Sequence, residues 1–224
     1  MSITESEVRE LVSRVLAQCG EMSLPGAAPA AGGQEFPVEV SARHVHLTKE
    51  AVEALFGPGA RLTKKRDLSQ PGEFLSEQRV RLVTAKGEIA NVAVLGPERS
   101  AVQVELSLTD ARALGVKAPV NLSGNLTGAG DVYILGEKGM LPAPGSVIAA
   151  RAHIHMTPAD AARLGVKDGE TVRVRVDTAR PVTFDRVIIR VKDTFALAMH
   201  IDFDEANACA LGSGGTGRIV RALP

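Results

Sequence analysis

His44-Val45-His46-Leu47-Thr48 returns far downstream as His153-Ile154-His155-Met156-Thr157, with Ala42 and Ala152 ahead of the two copies. Each copy reads as a short strand ending at a threonine able to cap a following helix. Alternate strand residues point to one face, so His44 and His46 share a face, as do His153 and His155. A third, weaker copy spans residues 105–117. It parallels residues 153–167 in its Thr, Ala and Leu-Gly-Val-Lys elements, and that alignment puts Glu105 where the other copies carry their first histidine.

Outward from these junctions the chain reads as short alternating or β-branched runs, among them QRVRLVTA, NVAVLG, DVYIL, TVRVRVDT and RVIIRVKD. Turn punctuation such as AKGE, GEKG and KDGE separates them, as expected of a β-rich body with turn-defined hairpins. Two short helices are predicted, over residues 49–56 and 159–164, behind Thr48 and Thr157. No βαβ alternation is present, which argues against a doubly wound parallel sheet.

The N-terminal part differs. Val8, Leu11, Val12, Val15 and Leu16 form one apolar stripe, and Thr4 with Glu7 a capping box, so residues 1–20 are expected to hold an amphipathic helix that stops at Gly20. Residues 21–33 contain SLPGAAPAAGG and are expected to be a flexible linker.

Composition excludes several classes. Lysine plus arginine and aspartate plus glutamate number 26 each, leaving no net field to draw in nucleic acid or anionic lipid. Aromatic residues make up 3% with no Trp, which removes base-stacking platforms. No apolar run approaches the roughly 20 residues of a membrane helix. Cys19 and Cys209 make no CxxC pair and the N-terminus lacks the order of a secretory signal, so a reduced cytoplasmic setting is expected.

All five histidines stand at positions 44, 46, 153, 155 and 200, four of them in the two pairs. The sets His44, His46, Glu105 and His153, His155, His200 each match the three-ligand pattern of an open transition-metal site, and the imidazole and carboxylate donors favour zinc. One isolated pair would read as well as ordinary surface or hydrogen-bonded histidine.

SARHVHLT, ERSAVQVELS, ARAHIHMTP and MHIDFDEANA together resemble the PduL-type phosphate propanoyltransferases, or phosphotransacylases, from about residue 36 to the C-terminus. The resemblance implies a mainly β fold with short α-helices: two small pseudo-symmetric β-barrels capped by helices, plus the N-terminal helix on its flexible linker. Residues 34–42 with 151–224 would form one barrel and residues 43–150 the other, with the active site between them. It implies conversion of an acyl-CoA and phosphate into acyl-phosphate and free CoA. Two zinc ions per chain are expected, on the two ligand sets above. Arg99 is carried over as the phosphate clamp, since guanidinium presents a planar fork to two oxygens. Ser41, Gln70, Gln103 and Arg190 match family site positions, and Gln103 shares a strand face with Glu105. The loop from Asn121 to Asn125 is a candidate for the CoA pyrophosphate, through Ser123, Asn125 and backbone donors.

The resemblance also implies that residues 1–20 direct the chain into a bacterial microcompartment, with shell or cargo as partner, and that the enzyme forms a homo-oligomer. A helix that folds back on the body, or mediates self-association, remains the other reading of that segment. On the same ligands a zinc-dependent thioester or phosphoester hydrolase, or a non-enzymatic metal-binding module, stays open. Lys64, Lys65 and Arg66 read as a solvated face, the glycine-rich stretch from Gly212 to Gly217 as a turn between strands, and Cys209 as a buried packing residue.

Overall fold

The computed structural model describes residues 34–212 and 214–220; the helix and linker expected over residues 1–33 lie outside them. In chain order the described elements are β1 (Glu35–Val40), β2 (His44–His46), α1 (Lys49–Phe56), β3 (Lys64–Asp67), β4 (Phe74–Val83), β5 (Glu88–Gly96), β6 (Gln103–Glu105), α2 (Leu108–Leu114), β7 (Val120–Asn121), β8 (Gly130–Leu135) and β9 (Met140–Ala150). There follow β10 (His153–Met156), α3 (Pro158–Leu164), β11 (Thr171–Val176), β12 (Val182–Val191), β13 (Ala198–Ile201), α4 (Phe203–Ala208) and β14 (Gly215–Val220).

Two rings of strands close on themselves. The first runs β1-β13-β10-β12-β11-β14 and back to β1. The second runs β9-β6-β2-β5-β4-β8 and back to β9. Both rings show the same order of pairings, in which parallel, antiparallel and parallel steps are followed by antiparallel ones. β10 of the first barrel therefore corresponds to β2 of the second, β13 to β6, and β1 to β9. Closure leaves a barrel no free edge. The short strand β3 hangs outside the second ring on β4, and its exposed Lys64, Lys65, Arg66 and Asp67 discourage further pairing there.

Alternation fills each barrel. Val38, Ile154, Val174, Ile189, Met199 and Ile201 pack in the first, and Val45, Leu82, Val94, Val104, Ile134 and Val147 in the second. Each fully buried aliphatic side chain contributes about 1.5–3 kcal/mol. Gly217 lets β14 close the first barrel, because a Cβ there would lie 2.9 Å from Val38 Cγ2 and 3.0 Å from Val174 Cγ1.

The capped-helix readings hold: Thr48 Oγ1 accepts from Ala51 N, and Thr157 Oγ1 from Asp160 N. Two further helices, α2 and α4, were not predicted. Ser107 and Asp202 cap them in the same way, but each spans barely two turns and lacks a legible apolar stripe. All four junctions, β2–α1, β6–α2, β10–α3 and β13–α4, thus share one strand-cap-helix design. The topology also revises the place of Glu105: it occupies the position of His200 in the other barrel, not that of the first histidine. The glycine-rich stretch from Gly212 leads from a helix, α4, into β14, rather than joining two strands. Cys209 is fully buried. Among the described helices none is long and apolar enough to cross a membrane.

Candidate metal and anion site

Each short strand at the junctions turns one residue set into its barrel and the other outward. Val45 and Val104 enter the second core, which leaves His44, His46, Gln103 and Glu105 on the outer face. Ile154, Met156, Met199 and Ile201 enter the first core, which leaves His153, His155 and His200 outward. Members of both sets, with Ser41, Gln70, Arg99 and Ser123, line one cavity of about 580 Å³, within the usual size of small-molecule sites.

His44 Nδ1 donates to the Ala42 carbonyl at 2.7 Å, which leaves Nε2 as its free lone pair. That Nε2 lies 3.2 Å from His46 Nε2 and 3.6 Å from Glu105 Oε2, and His46 Nε2 lies 3.8 Å from Glu105 Oε1. Donors placed tetrahedrally around zinc at ~2.0–2.1 Å stand about 3.3 Å apart, so the triad fits such an ion. Among the described residues this is the one set of three His, Cys, Asp or Glu whose ligand atoms all lie within 4.8 Å of one another.

Charge distribution agrees with a cation site. Burial raises Glu105, but the charges of His44 and His46 and the Ser123 hydroxyl outweigh it and hold the carboxylate far below its ordinary range. Burial lowers His44, yet Glu105 and the Ala42 carbonyl carry it above its ordinary value. Burial, then the charges of His44 and Arg99, push His46 well down. The raised His44 and the lowered Glu105 are the directions expected of a carboxylate held beside a cation.

Glu105 is held by a closed chain of donors. Gln103 Nε2 donates to Glu105 Oε1 at 2.5 Å and to Ser123 Oγ at 2.9 Å, and Ser123 Oγ donates to the same Oε1 at 2.7 Å. Gly124 N donates to Gln103 Oε1 at 2.8 Å, fixing the amide's orientation. Arg99 Nη1 donates to Ser123 Oγ at 3.4 Å, and Nη2 to Glu73 Oε1 at 2.9 Å.

In the second set the ring centroids of His153 and His155 are 4.7 Å apart, those of His155 and His200 5.0 Å, and those of His153 and His200 5.3 Å. His153 Nδ1 donates to the Arg151 carbonyl at 2.8 Å, repeating the arrangement of His44. Both ring nitrogens of His155 are buried with no hydrogen-bond partner, a costly state that an ion on this set would relieve at one of them. Burial lowers all three; the neighbouring imidazoles take His155 further, to about 2, and His153 takes His200 to about 3. These are the neutral forms that ligate metal.

The remaining predicted residues differ in placement. Ser41 lines the cavity, and its N–H donates to the Ile201 carbonyl. Arg190 stands opposite His155 in the β10–β12 register, with its guanidinium 5.8 Å from the Phe195 ring centre. Burial, the first cause, lowers its pKa. Gln70 Nε2 donates to the Ala196 carbonyl at 3.0 Å and lies 3.4 Å from His200 Nε2. Asn125 is exposed; its Oδ1 accepts from Thr127 N, and it does not line the cavity. Sequence reading missed Glu39, Ser69 and Glu73, which meet the site only through strand pairing and a loop between β3 and β4.

The profile of the phosphate propanoyltransferase family matches residues 37–212. A phosphate propanoyltransferase of Leptotrichia buccalis is 57% identical over 191 residues, covering 82% of this chain and 87% of the relative. That of Sebaldella termitidis is 52% identical over 196 residues, covering 84% and 90%. That of Alkaliphilus metalliredigens is 44% identical over 218 residues, covering 97% and 99%.

Proposed function

This chain belongs to the phosphate propanoyltransferase family of acyltransferases, and from that premise we propose that it exchanges a short-chain acyl group between CoA and phosphate with zinc on both histidine sets. The observation that carries the reading is the convergence of the His44, His46, Glu105 triad and Arg99 on one cavity. A phosphate oxygen attacks the thioester carbonyl, the new C–O bond replaces the C–S bond, and CoA leaves as thiolate.

His44, His46 and Glu105 would hold one ion and His153, His155 and His200 the other. Bound zinc supplies Lewis-acid polarisation and orientation of anionic oxygen. Arg99 is pinned between Glu73 and Ser123 at the cavity wall, and its remaining N–H groups would serve the phosphate. His44, His46 and Ser123 favour the ionised form of Glu105, and Gln103 and Ser123 keep it aimed. Arg43, Arg66, Arg79 and Arg99 line the cavity beside Glu39, Glu73 and Glu105, a slight local excess of cationic groups for the phosphates of CoA in a chain of zero net charge.

Phosphate dependence tests the reading. Purified protein should release CoA from propanoyl-CoA only with phosphate present, and form hydroxylamine-trappable acyl-phosphate. Equal release without phosphate would make the site a hydrolase, and full zinc loading with no turnover of any acyl-CoA would make it a structural module.

Residues 1–20 are proposed as the tag for a bacterial microcompartment on the family likeness, and their apolar stripe and the glycine- and alanine-rich linker behind it suit a docking segment. Deleting residues 1–33 should leave kcat unchanged and abolish co-purification with shell proteins. Homo-oligomerisation is proposed on the family likeness, and sedimentation of the full chain tests it.

A further inference from the structure

The two barrels support their third ligand with opposite chemistry. In the second barrel that ligand is a carboxylate, Glu105, and donors hold it: Gln103 and Ser123. In the first barrel it is an imidazole, His200, whose outer nitrogen needs an acceptor. Glu39 stands opposite His200 in the parallel register of β1 and β13, with Oε2 3.7 Å from His200 Nδ1. Ser69, from the β3–β4 loop of the other barrel, donates to that Oε2 at 2.5 Å. At the equivalent place in the second barrel, opposite Glu105, stands the apolar Ile148.

We propose that Glu39 is the positioning residue of His200, oriented by Ser69, which places the proton on Nδ1 and leaves the lone pair on Nε2, where Gln70 Nε2 stands 3.4 Å away, to be taken by a ligand. His44 and His153 obtain the same tautomer from the backbone carbonyls of Ala42 and Arg151. Among the described residues His200 makes no such bond to a carbonyl, and the acceptor group beside its Nδ1 is Glu39 of the adjacent strand, at ion-pair rather than hydrogen-bond distance. An acceptor behind a metal-binding imidazole fixes its tautomer and raises its basicity, and removing it costs about 10- to 100-fold in metal affinity. Each ligand set then has one carboxylate beside it: Glu105 as a direct ligand, Glu39 one group further out. Ser69 makes the second support depend on the first barrel and its neighbour being joined.

The consequence for zinc rests on the two-zinc reading above; the tautomer does not. The test compares wild type with Glu39→Val, Glu39→Gln and Ser69→Ala as full-length chains. Histidine 15N shifts and long-range couplings in metal-free protein should report the Nδ1–H form of His200 in wild type. That population should fall in Glu39→Val, with smaller changes in Glu39→Gln, which retains an acceptor, and in Ser69→Ala. Zinc competition against a chelator should show the second equivalent weakened about 10- to 100-fold in Glu39→Val, with the first unchanged. An unchanged His200 tautomer in a folded Glu39→Val protein overturns the inference. If wild type takes up one zinc only, the two-zinc reading falls while the tautomer measurement still decides Glu39. Should Glu39→Val fail to fold, Ser69→Ala and Glu39→Gln carry the same comparison.

Discussion

Glu105 stands directly opposite His44 in the antiparallel pairing of β2 with β6, and both side chains point away from the barrel core. One barrel wall thereby delivers a carboxylate and two imidazoles to a single point. Glu105→Gln keeps the shape and an acceptor for Gln103 and Ser123, but removes the charge that balances a cation. Zinc affinity and kcat/KM should fall about 10²-fold or more with circular dichroism unchanged. A variant with wild-type activity and metal content would remove Glu105 from the site.

Arg99 holds two partners on different sides, Ser123 through Nη1 and Glu73 through Nη2. Lysine keeps the charge but has no planar fork and cannot span both. Arg99→Lys is expected to raise the KM for phosphate and to lower kcat/KM by about 10- to 100-fold, the equivalent of ~1.5–3 kcal/mol for a charge-assisted hydrogen bond. The KM for acyl-CoA should move less. Initial rates with each substrate varied in turn separate the two.

The strands, the pairing of histidines on one strand face and the caps of α1 and α3 are legible in the sequence, because alternation and threonine capping are local rules. The ring closure is not. β1 pairs with β13 and β2 with β5 in parallel across long stretches of chain, and no local pattern encodes such partners. The same gap explains Glu105. Local similarity of residues 105–117 to 153–167 sets it beside a first histidine, whereas pairing sets it in the place of His200. Glu73 and Ser69 reach the site from a loop whose course depends on the closed second barrel. Their sequence context, SQPGE, signals only a turn.

That loop also fastens the two barrels. Gln70, 6% exposed, donates to the Ala196 carbonyl at 3.0 Å and accepts from Ala196 N at 3.2 Å. Gln70→Ala leaves both backbone groups unpaired, which costs about 1–3 kcal/mol. The melting temperature should drop by ~2–10 °C for a chain of this size. Thermal unfolding followed by circular dichroism measures it, and an unchanged midpoint would mean that the clip contributes nothing to stability.

Glu205 closes the capping box of α4, with Oε2 accepting from Asp202 N at 3.0 Å. Burial first, then the charges of Asp202 and Asp204, raise it from 4.5 to about 7. The folded chain therefore holds a proton here that the unfolded chain has released over that interval. Its contribution to stability is complete below about 4.5 and is lost as pH rises through about 7. The buried histidines of lowered pKa act in the opposite sense, losing stability as pH falls below 6.5, so the wild-type slope mixes the two. Glu205→Gln retains the acceptor and removes the titration. Between pH 5 and 7.5 its melting temperature should rise relative to wild type at each step. Parallel curves for the two proteins across that range would show that Glu205 titrates as an ordinary carboxyl.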